Sequence, residues 1–200
     1  MVETTNSLIQ KAQVFDQQPT MNLIEACSLE NGILRFSEEE SAELIAKCDA
    51  LASRVAFFVP ASGSGSRMFD ALYRFMESSE HTAGSEKFFA AFKTLAIYKA
   101  LSEEQKEELE GKSEQEIARF VLEPAGLNLL RRPKGLIPFH CAEGKVLNAF
   151  QEHVLQISEL FSTDPIVHFT LQDGFQDEVF ECISKTVDTN SIDVSFSIQN

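Results

Sequence analysis

The chain has 200 residues, 44% of them hydrophobic, and a formal net charge of −14. Such a length allows one well-cored domain with an extra layer or arm, and such a hydrophobic share excludes a disordered chain. The charge argues against general nucleic-acid or anionic-membrane binding, because both need basic surfaces.

Residues 1–36 show no long period, and Asn31-Gly32 is a turn signal. Ser37 and Glu40 form a capping box. Leu44, Ile45, Cys48 and Leu51 follow at helical spacing, which predicts a helix over about 38–53. The apolar run Val55 to Val59 predicts a buried strand. It breaks into Ala61-Ser62-Gly63-Ser64-Gly65-Ser66 and then Arg67. Met68, Leu72, Phe75 and Met76 come next on one side of a helix over about 66–78.

Phe88, Phe89, Phe92, Leu95, Ala96 and the run Tyr98 to Leu101 predict another amphipathic helix. Residues 102–116 are rich in Glu, Lys and Gln and read as a solvated helical face. Ile117, Phe120, Val121 and Leu122 return to the core before the break at Pro124-Ala125-Gly126. Leu136 to Phe139 reads as a short strand or extended loop, with Pro138 at an edge or a strand end. Val146 to Phe161 reads as one helix with Leu147, Phe150, Val154, Ile157 and Leu160 in register. Pro165 to Leu171 predicts a strand, Phe175 to Lys185 a helix and Val194 to Ile198 a strand. This alternation predicts an α/β fold with a mainly parallel sheet covered on both faces.

No segment approaches the roughly 20 apolar residues of a membrane span, and no basic-then-apolar leader opens the chain. Cys27, Cys48, Cys141 and Cys182 form no CxxC pair and read as reduced thiols. These features predict a soluble, cytoplasmic protein. The strand-like run Phe196 to Asn200 at the end reads as a piece of a longer protein.

Strand, small-residue loop, cation, helix is an order that suits an anion. Backbone N–H groups can approach it without obstruction, and a helix turns its positive end toward it. Arg131-Arg132-Pro133-Lys134 adds further cations beside an apolar run. Known glycine motifs fit poorly. Met68 stands where a dinucleotide fingerprint needs glycine, no Gly-Lys-Ser/Thr is present, and Ala61 stands where a nucleophile elbow needs glycine. A plain Ser/Gly turn is the bland alternative. His168 reads as a satisfied core residue. The neighbours Glu152 and His153 do not face each other on a helix and make no dyad. His140 follows the lysine segment and is a minor candidate for ligand contact. Cys141 beside it has nothing in the sequence to activate it.

Ala61-Ser62-Gly63-Ser64-Gly65-Ser66-Arg67-Met68 and Pro133-Lys134-Gly135-Leu136-Ile137-Pro138 resemble two motifs of the nucleotidyltransferase superfamily with a GT-A-like fold, the fold of nucleotide-sugar pyrophosphorylases. Over about residues 15–200 the chain also resembles an uncharacterised bacterial domain-of-unknown-function family. That second resemblance rests on the segments starting at Phe58 and Pro133, on Glu152-His153 and on Val167-His168-Phe169-Thr170. The superfamily resemblance implies a three-layer αβα sandwich of the nucleotide-diphospho-sugar transferase type. A helical lead-in would occupy 1–54 and the nucleotidyltransferase-like domain 55–200, with a helical insertion over about 80–130.

The same resemblance implies an NTP or nucleotide sugar as partner and Mg²⁺ as cofactor. Ala61, Ser62, Gly63, Ser64, Gly65 and Ser66 would cradle the phosphates through their backbone. Arg67 and Lys134 would act as catalytic cations while a sugar phosphate attacks the α-phosphorus and pyrophosphate leaves. Two departures stand out. In the enzymes the arginine and lysine share one loop, and here they are far apart. Ser62 stands where they carry glycine. No metal ligand is identifiable, since Asp173 reads as a turn residue. A non-catalytic nucleotide- or sugar-phosphate-binding module and an interaction domain with a degenerate site remain open alternatives.

Overall fold

The structure, a computed structural model, describes residues 24–51, 55–142, 144–161 and 165–199. The chain divides into two compact units, Met1–Ile45 and Ala46–Asn200. In the first, Ser28 and Asn31 exchange backbone hydrogen bonds of 2.8 and 3.0 Å around the expected turn, between the short strands β1 (Ser28–Leu29) and β2 (Gly32–Ile33). Glu30 (φ 73°) and Gly32 (φ 87°) take its left-handed positions. Helix α1 (Glu38–Leu51) opens on the expected box: Ser37 N–H donates to Glu40 Oε2 at 2.8 Å, and Glu40 N–H donates to Ser37 Oγ at 3.2 Å. The last expected positions of that helix, 52 and 53, lie outside the described residues.

In the second unit, β3 (Ala56–Pro60), β6 (Ile166–Leu171) and β7 (Asp193–Ile198) form a parallel sheet in the order β3-β6-β7. Phe58 lies opposite His168, and His168 opposite Ser195. Successive side chains alternate between the two faces. One face carries Phe57, Val59, Val167, Phe169, Leu171, Val194 and Phe196. It packs on α7 (Ala149–Leu160) and α8 (Gln176–Ser184) through Phe150, Val154, Ile157, Val179 and Ile183. The other face carries Phe58 and Ile166, which are 66% and 40% exposed. The expectation of a strand buried on both faces at residues 55–59 is therefore corrected. Among the described residues the sheet's helices lie on one side, so β3 alternates in burial like a half-covered strand.

A second, helical core lies between β3 and the lysine segment. After a 3-10 turn (Ser66–Phe69) come α2 (Asp70–Ser78), α3 (Ala83–Ala91), a 3-10 turn (Phe92–Thr94), α4 (Ala96–Lys99), α5 (Glu103–Glu108) and α6 (Glu114–Leu122). Phe69, Leu72, Phe75, Phe92, Leu101 and Val121 are buried together there. The single amphipathic helix expected across 88–101 is thus two helices with a break. Leu95 adopts an extended conformation (φ −68°, ψ 148°) between them.

The largest correction concerns residues 145–148. They form strand β5 (Lys145–Asn148), paired antiparallel with β4 (Pro138–Ala142), rather than the start of the long helix. Asn148 ends that strand and caps α7 by accepting from Gln151 N–H at 3.1 Å. The β-branched and apolar Val146 and Leu147 suit either state, and the cap decides where the helix begins.

Candidate functional site

The glycine loop leaves the carboxyl end of β3 and enters the Ser66–Phe69 turn, as the strand-loop-helix order predicts. Ala61 N–H donates to the Thr170 carbonyl at 3.0 Å, which fixes the loop's start to the central strand. Ser62 Oγ bonds Gln199, just past β7, and Ser64 Oγ lies 3.1 Å from Ser66 Oγ. The loop meets the lysine segment directly. Lys134 N–H donates to the Gly63 carbonyl at 2.8 Å, and Ser64 forms a β-bridge with Pro133. Two segments far apart in sequence therefore make one wall.

That wall bounds a cleft of about 600 Å³. Val59, Pro60, Phe139 and Phe150 give it apolar surface, while Lys134, His140, Glu152, His153 and Gln156 supply polar groups. Gly135 lets the lysine turn lie against the cleft floor: a Cβ there would meet Phe150 Cε2 at 2.6 Å. Gly65 is buried, and a Cβ would press on Ile137 Cδ1 at 2.8 Å.

Of the expected phosphate-loop residues, Ala61 and Gly63 line the cleft together with Lys134. Ser62, Ser64, Gly65 and Ser66 belong to the same loop but not to the lining. Arg67 is exposed on the 3-10 turn and does not line the cleft. Arg131 lines a separate hollow with Tyr73 and Glu77. Arg132 pairs with Glu178 of α8, and burial pushes its guanidinium pKa down. Among the described residues, Lys134 is thus the cation that the segment 131–134 contributes to the cleft.

Sequence reasoning gave His140 a minor part and paired Glu152 with nothing. In the structure His140 Nδ1 lies 2.9 Å from Glu152 Oε1. The reason is the hairpin: His140 on β4 sits opposite Leu147 on β5, and α7 starts directly after β5, one turn before Glu152. Gly144, at φ 78°, was the turn signal that could have revealed the hairpin. His168 has both ring nitrogens satisfied, Nδ1 2.9 Å from Ser195 Oγ and Nε2 2.9 Å from Ser197 Oγ, but it is half-buried on the open face of the sheet, which corrects the expectation of a core residue. Phe58 stacks on it at 5.6 Å. Cys141 is an exposed free thiol, whereas burial raises the pKa of Cys182. Asp173 lies in a turn beyond β6 and outside the cleft lining.

The Mg²⁺ implied by the resemblance can be tested against these donors. Among the described residues Glu152 is the one carboxylate that lines the cleft, and His140 Nδ1 lies against its Oε1. Among the described residues no three His, Cys, Asp or Glu side chains converge as a metal site would need. The donor set does not fit a Mg²⁺ held by the protein through carboxylates.

Fold and cleft together define an α/β protein with a parallel sheet, whose loop-and-lysine cleft opens at the carboxyl end of an edge strand. The chain belongs to the family described as Domain of unknown function (DUF4301), whose model matches residues 3–200. No curated protein and no solved structure matches the chain. Among the described residues, no helix is long and apolar enough to cross a membrane.

Proposed function

We propose that this chain is a nucleotidyltransferase-like protein whose cleft binds a nucleoside triphosphate or nucleotide sugar. One observation carries the reading: Lys134 N–H bonds the Gly63 carbonyl, so an ammonium-bearing turn and a small-residue loop share one wall at a strand's carboxyl end. Ligands of α/β sheets gather at that end. A cleft of about 600 Å³ with an apolar floor and few polar groups is in the usual size range for small-molecule sites. Lys134 would contact phosphate oxygens, the backbone around Gly63 would allow their close approach, and the apolar floor would take a base or sugar face. The three-layer αβα sandwich belongs to the same proposal. The parallel order β3-β6-β7 supports it, since a layer of helices on the face of Phe58 would complete such a sandwich. A cytoplasmic setting also belongs to it, supported by four free cysteines.

Full activity would be nucleotidyl transfer to a sugar phosphate with release of pyrophosphate. The second reading is a non-catalytic nucleotide- or sugar-phosphate-binding module. That no three metal-ligating side chains converge among the described residues is the observation behind that second reading. Calorimetric titration of ATP, UTP, UDP-glucose and glucose 1-phosphate, with and without Mg²⁺, tests both readings. Lys134→Ala should weaken binding roughly ten- to hundredfold through loss of a charge-assisted contact. Equal binding by both proteins removes Lys134 from the site. No binding by the wild type leaves an interaction domain with a degenerate site.

A further inference from the structure

We propose that His140, oriented by Glu152, is the proton-accepting group of this cleft, and that the cleft serves an acceptor carrying a hydroxyl. The inference rests on the nucleotide-binding part of the reading above and puts a hydroxyl in place of its sugar-phosphate acceptor. With Glu152 Oε1 as acceptor 2.9 Å away, His140 Nδ1–H is the donor, and in the neutral imidazole this tautomer puts the lone pair on Nε2. A carboxylate holding an imidazole in this tautomer is the arrangement that lets histidine take a proton from a nucleophile. Both residues line the same cleft as Gly63 and Lys134, on the β4 and α7 side.

The pair is a poor stabilising device. His140 is 63% exposed, and a polar contact this open to solvent adds little to stability. Its chemistry also discriminates between acceptors. A phosphate acceptor is already ionised at neutral pH and needs no base, whereas a hydroxyl does. In the transfer step, the acceptor's O–H bond breaks and its proton goes to Nε2. The acceptor oxygen then bonds the α-phosphorus of a nucleoside triphosphate. The bond between that phosphorus and the bridging oxygen breaks, and pyrophosphate leaves with the electron pair.

The protein supplies its own control. His81 forms the same kind of pair, with Nε2 3.1 Å from Glu114 Oε2, and it lies outside the cleft. The first measurement is the ¹⁵N spectrum of the histidine side chains of the free protein at pH about 8, where an unperturbed imidazole is neutral. His140 should be protonated on Nδ1 and bare on Nε2, and Glu152→Gln should lose that preference. A His140 with its proton on Nε2 overturns the proposal whatever binds.

The second measurement maps carbethoxylation by diethylpyrocarbonate, which attacks an accessible imidazole lone pair. ATP or UDP-glucose at ten times its Kd should slow modification of His140 about tenfold, by the factor 1 + [L]/Kd, and leave His81 unchanged. Glu152→Gln should slow modification of His140 without ligand. If calorimetry shows binding but His140 is not protected, the inference fails and the nucleotide-site reading stands. If no ligand binds, both fail together.

Discussion

Gly63 and Gly135 stand on one wall of the cleft for different steric reasons. A Cβ at Gly135 would enter the Phe150 ring, so the lysine turn requires its absence. A Cβ at Gly63 would meet nothing within 4 Å, and Gly63 does not adopt a left-handed φ. Neither folding nor backbone conformation therefore demands glycine at 63. Close approach of a ligand would. Gly63→Ala should leave the melting temperature unchanged or slightly higher, since the unfolded chain loses freedom. The same change should weaken binding of the nucleotides that bind wild type. Gly135→Ala should instead destabilise the fold by about 1–3 kcal/mol through overpacking against Phe150. Thermal denaturation and calorimetry on the two variants separate the roles. A Gly63→Ala variant that binds as tightly as wild type takes the loop out of the site.

At the scale of elements, caps decided what periodicity could not. Helix α6 begins at Ser113, whose Oγ accepts from Glu116 N–H at 3.3 Å while Glu116 Oε2 accepts from Ser113 N–H at 2.9 Å. The bonds from Ser113, its backbone first, hold the Glu116 carboxyl down to about 2 from 4.5, with Lys112 assisting. A folded pKa below the unfolded one gives stability that is present above pH 4.5 and lost as pH falls toward about 2. Ser113→Ala should cost about 0.5–2 kcal/mol near neutrality, the usual range for a lost N-cap hydroxyl. It should also flatten the acid limb of the stability curve. Urea midpoints of both proteins between pH 7 and pH 2 check this. An unchanged acid limb would show that the Ser113 hydroxyl adds nothing to the backbone N–H, which the substitution keeps, in setting the carboxylate's proton affinity.

The same caps explain how far the sequence could be read. The Ser37-Glu40 box, strand β3, the glycine loop and strands β6 and β7 were legible because composition changes sharply at their ends. Strand β5 was not. Val146 and Leu147 continue the apolar spacing of α7 backwards, and only the Asn148 cap separates them. Missing that strand hid the hairpin, and with it the pairing of His140 with Glu152. The superfamily resemblance led to the expectation of the glycine loop, Arg67 and Lys134 in one site, while the Gly63–Lys134 hydrogen bond itself had no signal in the sequence. Nor did the sequence signal that Arg67 lies outside the cleft lining, exposed on a 3-10 turn where a regular helix was expected.

In the unit Ala46–Asn200, two hydrophobic cores meet at one peptide bond. Leu136 is buried in the sheet core and Ile137, the next residue, in the helical core. The lysine turn is the shorter of two covalent joints between them, the other being the glycine loop, and Ile137 also lies under Gly65 of that loop. A joint this short leaves little slack for one core to open while the other stays shut. The two cores should therefore unfold together. Two intrinsic probes separate them. Both tyrosines belong to the helical part, with Tyr98 edge-to-face against Phe92 at 5.3 Å, and the chain has no tryptophan. Half-buried Cys182 packs in the sheet core, its thiol donating to the Val179 carbonyl at 3.1 Å. Urea unfolding followed by tyrosine fluorescence should share a midpoint with pulse labelling of Cys182 resolved by peptide mapping. Ile137→Ala removes a fully buried side chain and should cost about 2–5 kcal/mol. It should lower both midpoints equally. A fluorescence midpoint that falls while Cys182 protection holds would show that the cores are independent, and that the cleft wall between them is a hinge and not a rigid joint.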